Sequence, residues 1–231
     1  MNFDKMKVIL METSQIKKHH IVLLGDSIFD NAAYVADGFP VSRHLCIRVP
    51  DWKTTLLAVS GSTASDVVNQ LLKIPSDATH LFISVGRNDA LNSVSAVNTP
   101  LCDVGSALHH LGMARNNLAA LNRLDSARVN FQRKYHAMLK QVLAANVPVT
   151  VCTICNSSLR LGREEKSAIA LFNEIILKEA GTFKLPVIDL RIICNEAMDY
   201  SPTTPTELSH KGGLKIALAV ISAVKNTAEF T

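Results

Sequence analysis

The sequence predicts an α/β protein, a three-layer α/β/α sandwich built on a five-stranded parallel sheet. Apolar runs of strand length alternate along the chain with helix-length amphipathic patterns. The runs are rich in Val, Ile and Leu with little polar alternation, which is typical of strands buried on both faces. The segments between them are long enough for crossover helices, and no linker divides the chain. We therefore predict one domain over residues 1–231, with its core in 20–226.

Five apolar runs predict the strands of a flavodoxin-like sheet. In chain order they are Ile21 to Leu24, Thr55 to Val59, Leu81 to Val85, Val147 to Ile154 and Pro186 to Leu190. The first three runs end at Gly25, Gly61 and Gly86, each followed by small or polar residues. Because ligands bind open parallel sheets at the carboxyl ends of the strands, these turns are the place to look for a site.

Helical patterns fill the segments between the strands. They cover Thr63 to Leu72, Asp125 to Ala145, Glu164 to Glu179 and Lys211 to Asn226, with Gly181 as a predicted stop and a further helix running on from Ile28. The segment 90–124 does not fit this alternation, although Gly105 to Leu121 resembles a helix. Long loops are usually functional or disordered, so we expect a lid or pocket wall here, with a tolerated surface insertion as the alternative.

Composition narrows the possible partners. The chain has 231 residues, 48% hydrophobic and 19% charged, which allows a sizeable core and excludes disorder. The 24 Lys and Arg against 20 Asp and Glu form no run of five or six like charges. The aromatic content of 5% argues against a surface on which bases would stack, so no nucleic-acid partner is expected. Nothing in the sequence indicates an oligomeric state.

Targeting signals are not evident in the sequence. The stretch from Ile216 to Val224 is uncharged for only nine residues, whereas a membrane span needs about 20, so no span is expected. Charged residues flank the short apolar stretch near the N-terminus, which is unlike a signal peptide. Together with five scattered cysteines, this predicts reduced thiols and a cytoplasmic location.

Ser27 follows the first predicted strand directly, in the triplet Gly25-Asp26-Ser27. Its backbone N–H would be an orphan donor at a helix N-terminus, where an anion is stabilised. A serine there could attack a carbonyl while its own N–H binds the oxyanion. Alternatively, Ser27 only caps the helix.

A serine nucleophile needs a base, and the base needs an orienting group. Of the eight histidines, His210 has an acidic neighbour at a useful spacing, since Glu207 lies three residues before it. Both come after the last predicted strand and before the last helix. The alternative is a capping arrangement for that helix.

Other residue patterns in the sequence give weaker evidence of a function. Cys152 and Cys155 have redox spacing, but on a strand they would point to opposite faces, and a buried structural pair is expected. No metal site is expected at His109 and His110, because no ligand spacing near them matches one. Nucleotide-binding fingerprints and the G-x-S-x-G elbow are both absent from the sequence.

Taken together, the blocks Gly25-Asp26-Ser27, Gly61, Gly86 to Asp89 and a late acid-x-x-His resemble, in order, those of the SGNH (GDSL-type) serine hydrolase superfamily. The resemblance covers residues 20 to 91 and 147 to 222. It implies Ser27 as nucleophile and His210 as base oriented by Glu207. It also implies an oxyanion hole formed by the N–H groups of Ser27 and Gly61 and the side-chain amide of Asn88. Glu207 departs from the usual aspartate of the family, which affects the geometry expected between acid and histidine.

The resemblance implies an esterase that cleaves small-molecule carboxylic esters through an acyl-enzyme on Ser27, with no metal or organic cofactor. One alternative is a thioesterase or lysophospholipase with the same site, in which the 90–124 segment lines an acyl channel. Another is a carbohydrate- or ligand-binding module on the same fold, catalytically silent because Glu207 misplaces His210. The identity of the acyl and alcohol groups is not readable, because specificity lies in variable loops.

Overall fold

A computed structural model describes residues 19–35, 39–95, 106–155, 161–204 and 206–228, with the side chains of 95 and 106–124 outside the description. The first 18 residues, and the part of the predicted lid at 96–105, also lie outside the described residues. The strands are β1 (His20–Gly25), β2 (Lys53–Leu56), β3 (His80–Ser84), β4 (Val149–Cys152) and β5 (Val187–Ile188).

The five strands form one parallel sheet in the order β2-β1-β3-β4-β5, which confirms the predicted fold class. In the register, Leu23 of β1 lies between Leu56 of β2 and Phe82 of β3. Strand β2 ends three residues earlier than the predicted Val59. The reason is local, because the N–H groups of Leu57 and Ala58 both donate to the Leu23 carbonyl at 2.9 Å and interrupt the regular ladder.

Helices cover both faces of the sheet. They are α1 (Val41–Arg48), α2 (Val67–Leu71), α3 (Arg87–Ser95), α4 (Ser106–Leu143), α5 (Arg163–Phe183), α6 (Leu190–Ile193) and α7 (His210–Ala228), with 3₁₀ turns at Ala32–Tyr34 and Ala197–Asp199. On one face, β1 and β3 side chains such as Leu24 and Ile83 pack with Phe131 of α4 and Phe172 of α5. On the other, Leu23 and Phe82 pack with Leu45 of α1 and Val220 of α7. Alternate strand residues therefore serve two cores, as a sheet buried on both faces requires.

Three helix predictions need correction. The chain after Ser27 makes only one helical turn, with the N–H of Asp30 bonded to the Asp26 carbonyl at 3.1 Å. The predicted pieces at 105–121 and 125–145 join into the single helix α4. Helix α5 does not stop at Gly181 but at Phe183, where Lys184 takes the left-handed conformation with φ of 54°. Helix interiors tolerate glycine at a modest energetic cost, so Gly181 alone does not end the helix.

Within the described part of the chain, no helix combines the length and apolar character needed to cross a bilayer.

Candidate active site

Ser27 lies at the carboxyl end of β1 and is 7% exposed. Gly25 precedes it with φ of +122°, and a Cβ at that position would lie 1.8 Å from the Ser84 carbonyl oxygen of β3. The N–H of Asp26 donates to the same oxygen at 3.0 Å. Only glycine fits this close approach of two backbones, and the tight turn sets Ser27 at the edge of the sheet.

Gln70 of α2 fixes this turn and was not identified from the sequence. Its Oε1 accepts from the Gly25 N–H at 2.8 Å, and its Nε2 donates to the Gly25 carbonyl at 2.9 Å and to Ser62 Oγ at 3.3 Å. Gln70 is buried, and its Oε1 gives the Gly25 N–H an acceptor inside the protein, while the Gly25 carbonyl also accepts from the Val59 N–H at 3.0 Å. The available signal was a glutamine on the apolar face of a predicted helix.

Gly61 sits in the turn after β2 with φ of +86°, and no atom lies within 4 Å of where its Cβ would be. Asp66 stabilises the following residues, accepting from the Thr63 N–H at 2.8 Å and the Thr63 hydroxyl at 2.6 Å. These bonds to Thr63 hold the pKa of Asp66 below its usual range. The Gly61 backbone therefore lies in a fixed turn with open space beside it.

Asn88 lies in the first turn of α3 and connects the turn at Gly86 to the turn at Gly61. Its Nδ2 donates to the Ser62 carbonyl at 2.9 Å, while Asp89 Oδ2 accepts from the Ala64 N–H at 2.9 Å. Burial raises the pKa of Asp89. A side-chain amide carries two hydrogens, so Asn88 keeps a second donor in addition to the one that Ser62 uses.

Arg87 is buried, with 4% of its surface exposed. Its guanidinium donates to the Thr206 carbonyl, in the turn before α7. Burial raises the pKa of both Asp26 and Glu207, and the positive charge of Arg87 opposes part of that rise in each carboxyl. Arg87 therefore joins the start of α3 to the residues around Ser27.

Asp26 is the most deeply buried carboxyl beside the site, with 1% of its surface exposed. Burial raises its pKa from 3.8 to about 7, against the lowering effects of a bond from the Ile28 N–H and of the Arg87 charge. The Ile28 bond is 3.1 Å long. Asp26 thus holds the turn that carries Ser27.

The Glu207 side chain lies beside Ser27, in the turn before α7. Burial raises the Glu207 pKa, while the Arg87 charge and a side-chain hydrogen bond with Ser27 lower it. The Glu207 backbone is fixed, since its N–H donates to the Thr204 carbonyl and its carbonyl accepts from the Ser201 N–H, both at 2.8 Å. The structure therefore brings Ser27 and Glu207 together.

His210 is the first residue of α7 and is exposed. Its ring centroid lies 4.6 Å from that of His44 and 5.3 Å from that of Phe39, which places the imidazole beside α1. Burial and the His210 charge lower the pKa of His44. None of the contacts described for His210 joins it to Ser27 or Glu207, so its role as base stays a prediction.

Two further expectations from the sequence concern the cysteines and a metal site. Cys152 and Cys155 are buried free thiols, and burial raises the pKa of Cys155 to about 11. A thiol with such a pKa is a poor nucleophile. Among the residues that the structure describes, no cluster of three or more His, Cys, Asp and Glu side chains could hold a metal ion. His109 and His110 lie in the part of α4 whose side chains are not described.

The fold and the site together define the class of protein. A buried serine, a glycine turn and an asparagine side chain come from the ends of β1, β2 and β3 of one parallel sheet. This is the SGNH hydrolase arrangement that the sequence blocks resemble.

The chain belongs to the GDSL-like lipase/acylhydrolase family, whose sequence model matches residues 23–215. No curated protein matches the chain. The matched region spans Ser27, Gly61, Asn88, Glu207 and His210.

Solved structures with the same fold include several lipolytic enzymes. A psychrotrophic esterase from Pseudoalteromonas sp. is 14% identical with a TM-score of 0.64, covering 92% of this chain and 100% of its own. An extracellular lipase from Streptomyces rimosus is 19% identical with a TM-score of 0.59, covering 89% and 99%. A phospholipase A1 from Streptomyces albidoflavus is 16% identical with a TM-score of 0.58, covering 88% and 99%. At these identities the similarity shows the shared fold.

Proposed function

We propose that this protein hydrolyses small carboxylic esters through an acyl-enzyme on Ser27. The observation that carries the proposal is the placement of Ser27 at the carboxyl edge of the sheet. Gln70 bonds both Gly25 in the Ser27 turn and Ser62 in the turn after Gly61, and Asn88 bonds the Ser62 carbonyl. Membership of an acylhydrolase family supports the same reaction class.

The chemistry follows from these groups. The Ser27 oxygen attacks the ester carbonyl, and the negative charge that develops on the carbonyl oxygen meets the N–H groups of Ser27 and Gly61 and the free amide hydrogen of Asn88. Donors fixed in advance around an oxyanion each contribute a few kcal/mol to the transition state. His210, the predicted base, takes the Ser27 proton and passes it to the alcohol as the ester C–O bond breaks and the alcohol leaves. Water then attacks the acyl-enzyme with His210 taking its proton, and the acid leaves as the proton returns to Ser27.

Hydrolysis of a short p-nitrophenyl ester tests the proposal. We expect Ser27→Ala to abolish turnover and to leave the circular dichroism spectrum unchanged. Ser93→Ala is the matched control, because the Ser93 hydroxyl only donates to the Ala90 carbonyl within its own helix. Turnover by Ser27→Ala at the wild-type rate would refute Ser27 as nucleophile.

One observation favours a second candidate, a catalytically silent ligand-binding module. The imidazole predicted as base contacts His44 and Phe39, while a carboxyl contacts Ser27. If the wild-type protein binds an ester without turning it over, this candidate replaces the esterase. A thioesterase or lysophospholipase would instead show a rise in kcat/KM with acyl chain length.

A further inference from the structure

The imidazole of His210 lies against two rings, one on α1 and one just before it. The His44 ring meets it edge to face, with ring centroids 4.6 Å apart and an angle of 76° between the planes. The Phe39 ring lies 5.3 Å from it at an angle of 60°. Aromatic rings at such distances prefer edge-to-face contacts, which are favourable beyond the area that they bury. These contacts therefore favour one orientation of a side chain that is otherwise exposed.

His44 is the fixed member of this pair of histidines. It is 5% exposed, and its backbone N–H donates to the Pro40 carbonyl at 3.1 Å in the first turn of α1. Its Cδ2 lies 3.7 Å from the position of a Cβ on Gly213, in the first turn of α7. A buried ring between two packed helices has little rotational freedom. The exposed His210 ring is therefore oriented by the buried one.

Asn31 connects these helices to the loop that carries Ser27. It lies four residues after Ser27 and is fully buried. Its Oδ1 accepts from the Val41 N–H at 3.1 Å, at the start of α1, and its Nδ2 lies 3.7 Å from the Cβ position of Gly213. The Ser27 loop, α1 and the first turn of α7 thus meet at one side chain. The position of His210 relative to Ser27 therefore depends on how α1 packs.

The surroundings of His44 favour its neutral form. Its Nε2 is shielded from solvent and has no hydrogen-bond partner among the described residues. Burial lowers the pKa of the ring, and the His210 charge lowers it further. The charged groups near it on α1 are both cations, Arg48 and Arg43, and the Arg43 guanidinium lies 4.2 Å from the Phe39 ring centroid. A neutral ring adds no positive charge beside the imidazolium that a histidine base becomes.

We propose that His44 is a positioning residue for His210, with its buried ring holding the imidazole in the orientation that accepts the Ser27 proton. This inference rests on the proposed esterase function, in which His210 is the base. His44 itself exchanges no proton with the substrate. Its effect on the rate comes from geometry, because a base displaced by about 1 Å can lose much of its catalytic effect.

Two substitutions at His44 separate the ring contact from simple filling of space. His44→Leu keeps an apolar side chain in the buried position but removes the ring. We expect its kcat for a short p-nitrophenyl ester to fall by roughly 10-fold with KM little changed, because a misplaced base weakens the transition state and not substrate binding. His44→Phe returns a ring to the position and should recover most of the wild-type kcat.

Either of two results with these variants would overturn the inference. One is a wild-type kcat in His44→Leu. The other is a folded His44→Phe protein that is as slow as His44→Leu, because the ring would then not be what matters.

Leu45→Val is the matched control for a general loosening of α1. Leu45 is the next residue of the helix and packs with Leu23 and Phe82 in the core. The substitution should lower the urea midpoint and leave kcat at the wild-type value. If it slows turnover as much as His44→Leu does at an equal loss of stability, the contact with His210 is not the cause and the inference is wrong.

Proton NMR of the wild-type protein tests the contact without any measurement of turnover. Ring protons of His44 and His210 should show a nuclear Overhauser effect, because their centroids are 4.6 Å apart. This experiment decides the matter if His44→Leu does not fold. Absence of the effect between assigned ring protons would overturn the inference.

Failure of the proposed function gives a different result. If turnover does not depend on Ser27, or His210→Ala keeps the wild-type rate, the esterase mechanism fails and the role of His44 fails with it. Loss of turnover in His210→Ala together with a wild-type kcat in His44→Leu refutes only the role of His44.

Discussion

Asp26 offers a quantitative test of the electrostatics beneath Ser27. In the folded protein burial raises its pKa to about 7, from 3.8. Below pH 3.8 the carboxyl is protonated in both the folded and unfolded states, and its contribution to stability is fully present. As the pH rises from 3.8 towards 7, the Asp26 carboxyl ionises in the unfolded chain but stays protonated in the folded protein, so its contribution to stability is lost. Above pH 7 the carboxyl is ionised in both states, and its contribution no longer changes with pH.

The magnitude follows from the size of the shift. Each pK unit corresponds to about 1.4 kcal/mol, so a shift of about three units corresponds to about 4 kcal/mol. In Asp26→Asn the Oδ1 atom can still accept from the Ile28 N–H, and no charge is buried at any pH. The unfolding free energy of the variant minus that of the wild type should therefore rise by about 4 kcal/mol between pH 4 and pH 8, with most of the rise below pH 7.

Urea denaturation of both proteins at intervals between pH 4 and pH 8 measures this difference. Other titrating groups act in both proteins and cancel in the comparison. Parallel curves of unfolding free energy against pH would refute the claim that Asp26 titrates near neutrality because it is buried.

Three further predictions concern the turns around the site. Gly25→Ala should lower the unfolding free energy by about 3 kcal/mol or more, because its Cβ would meet the Ser84 carbonyl and its φ is positive; a midpoint unchanged in urea would contradict this. Arg87→Met should lower the unfolding free energy by about 3–5 kcal/mol, because it leaves buried carboxyls without a positive partner. Adding Glu207→Gln to this variant should recover part of the loss, and additive losses in the double-mutant cycle would contradict the pairing of Arg87 with Glu207. Asn88→Ala should lower kcat for a p-nitrophenyl ester by roughly 10²–10³ and KM little, and an unchanged kcat would remove Asn88 from the oxyanion hole.

The strands were predictable because buried parallel strands read as short apolar runs, and Gly25 and Gly86 mark where two of them end. Helix α1 was not predicted. Its sequence from Val41 to Arg48 buries only Val41, His44 and Leu45, a weak apolar pattern that includes a histidine. The extent of α4 was also missed, since the sequence predicts two separate helical pieces, Gly105 to Leu121 and Asp125 to Ala145, and the structure joins them into one helix.

The site was predictable where backbone geometry dictates the residue type. Ser27, Gly61 and Asn88 follow strand ends, and the parallel sheet brings those ends together. The surroundings of Glu207 and His210 were harder to predict, because an acid-x-x-His spacing does not reveal where the turn ends and the helix begins. In the structure Glu207 lies in the turn and His210 is the first residue of α7.

Mass spectrometry after treatment with a fluorophosphonate tests the central claim most directly. We predict one covalent phosphonate on the peptide that contains Ser27, and none on the Ser27→Ala protein. A wild-type chain that remains unmodified, or carries the phosphonate on another residue, would contradict the assignment of Ser27 as the nucleophile.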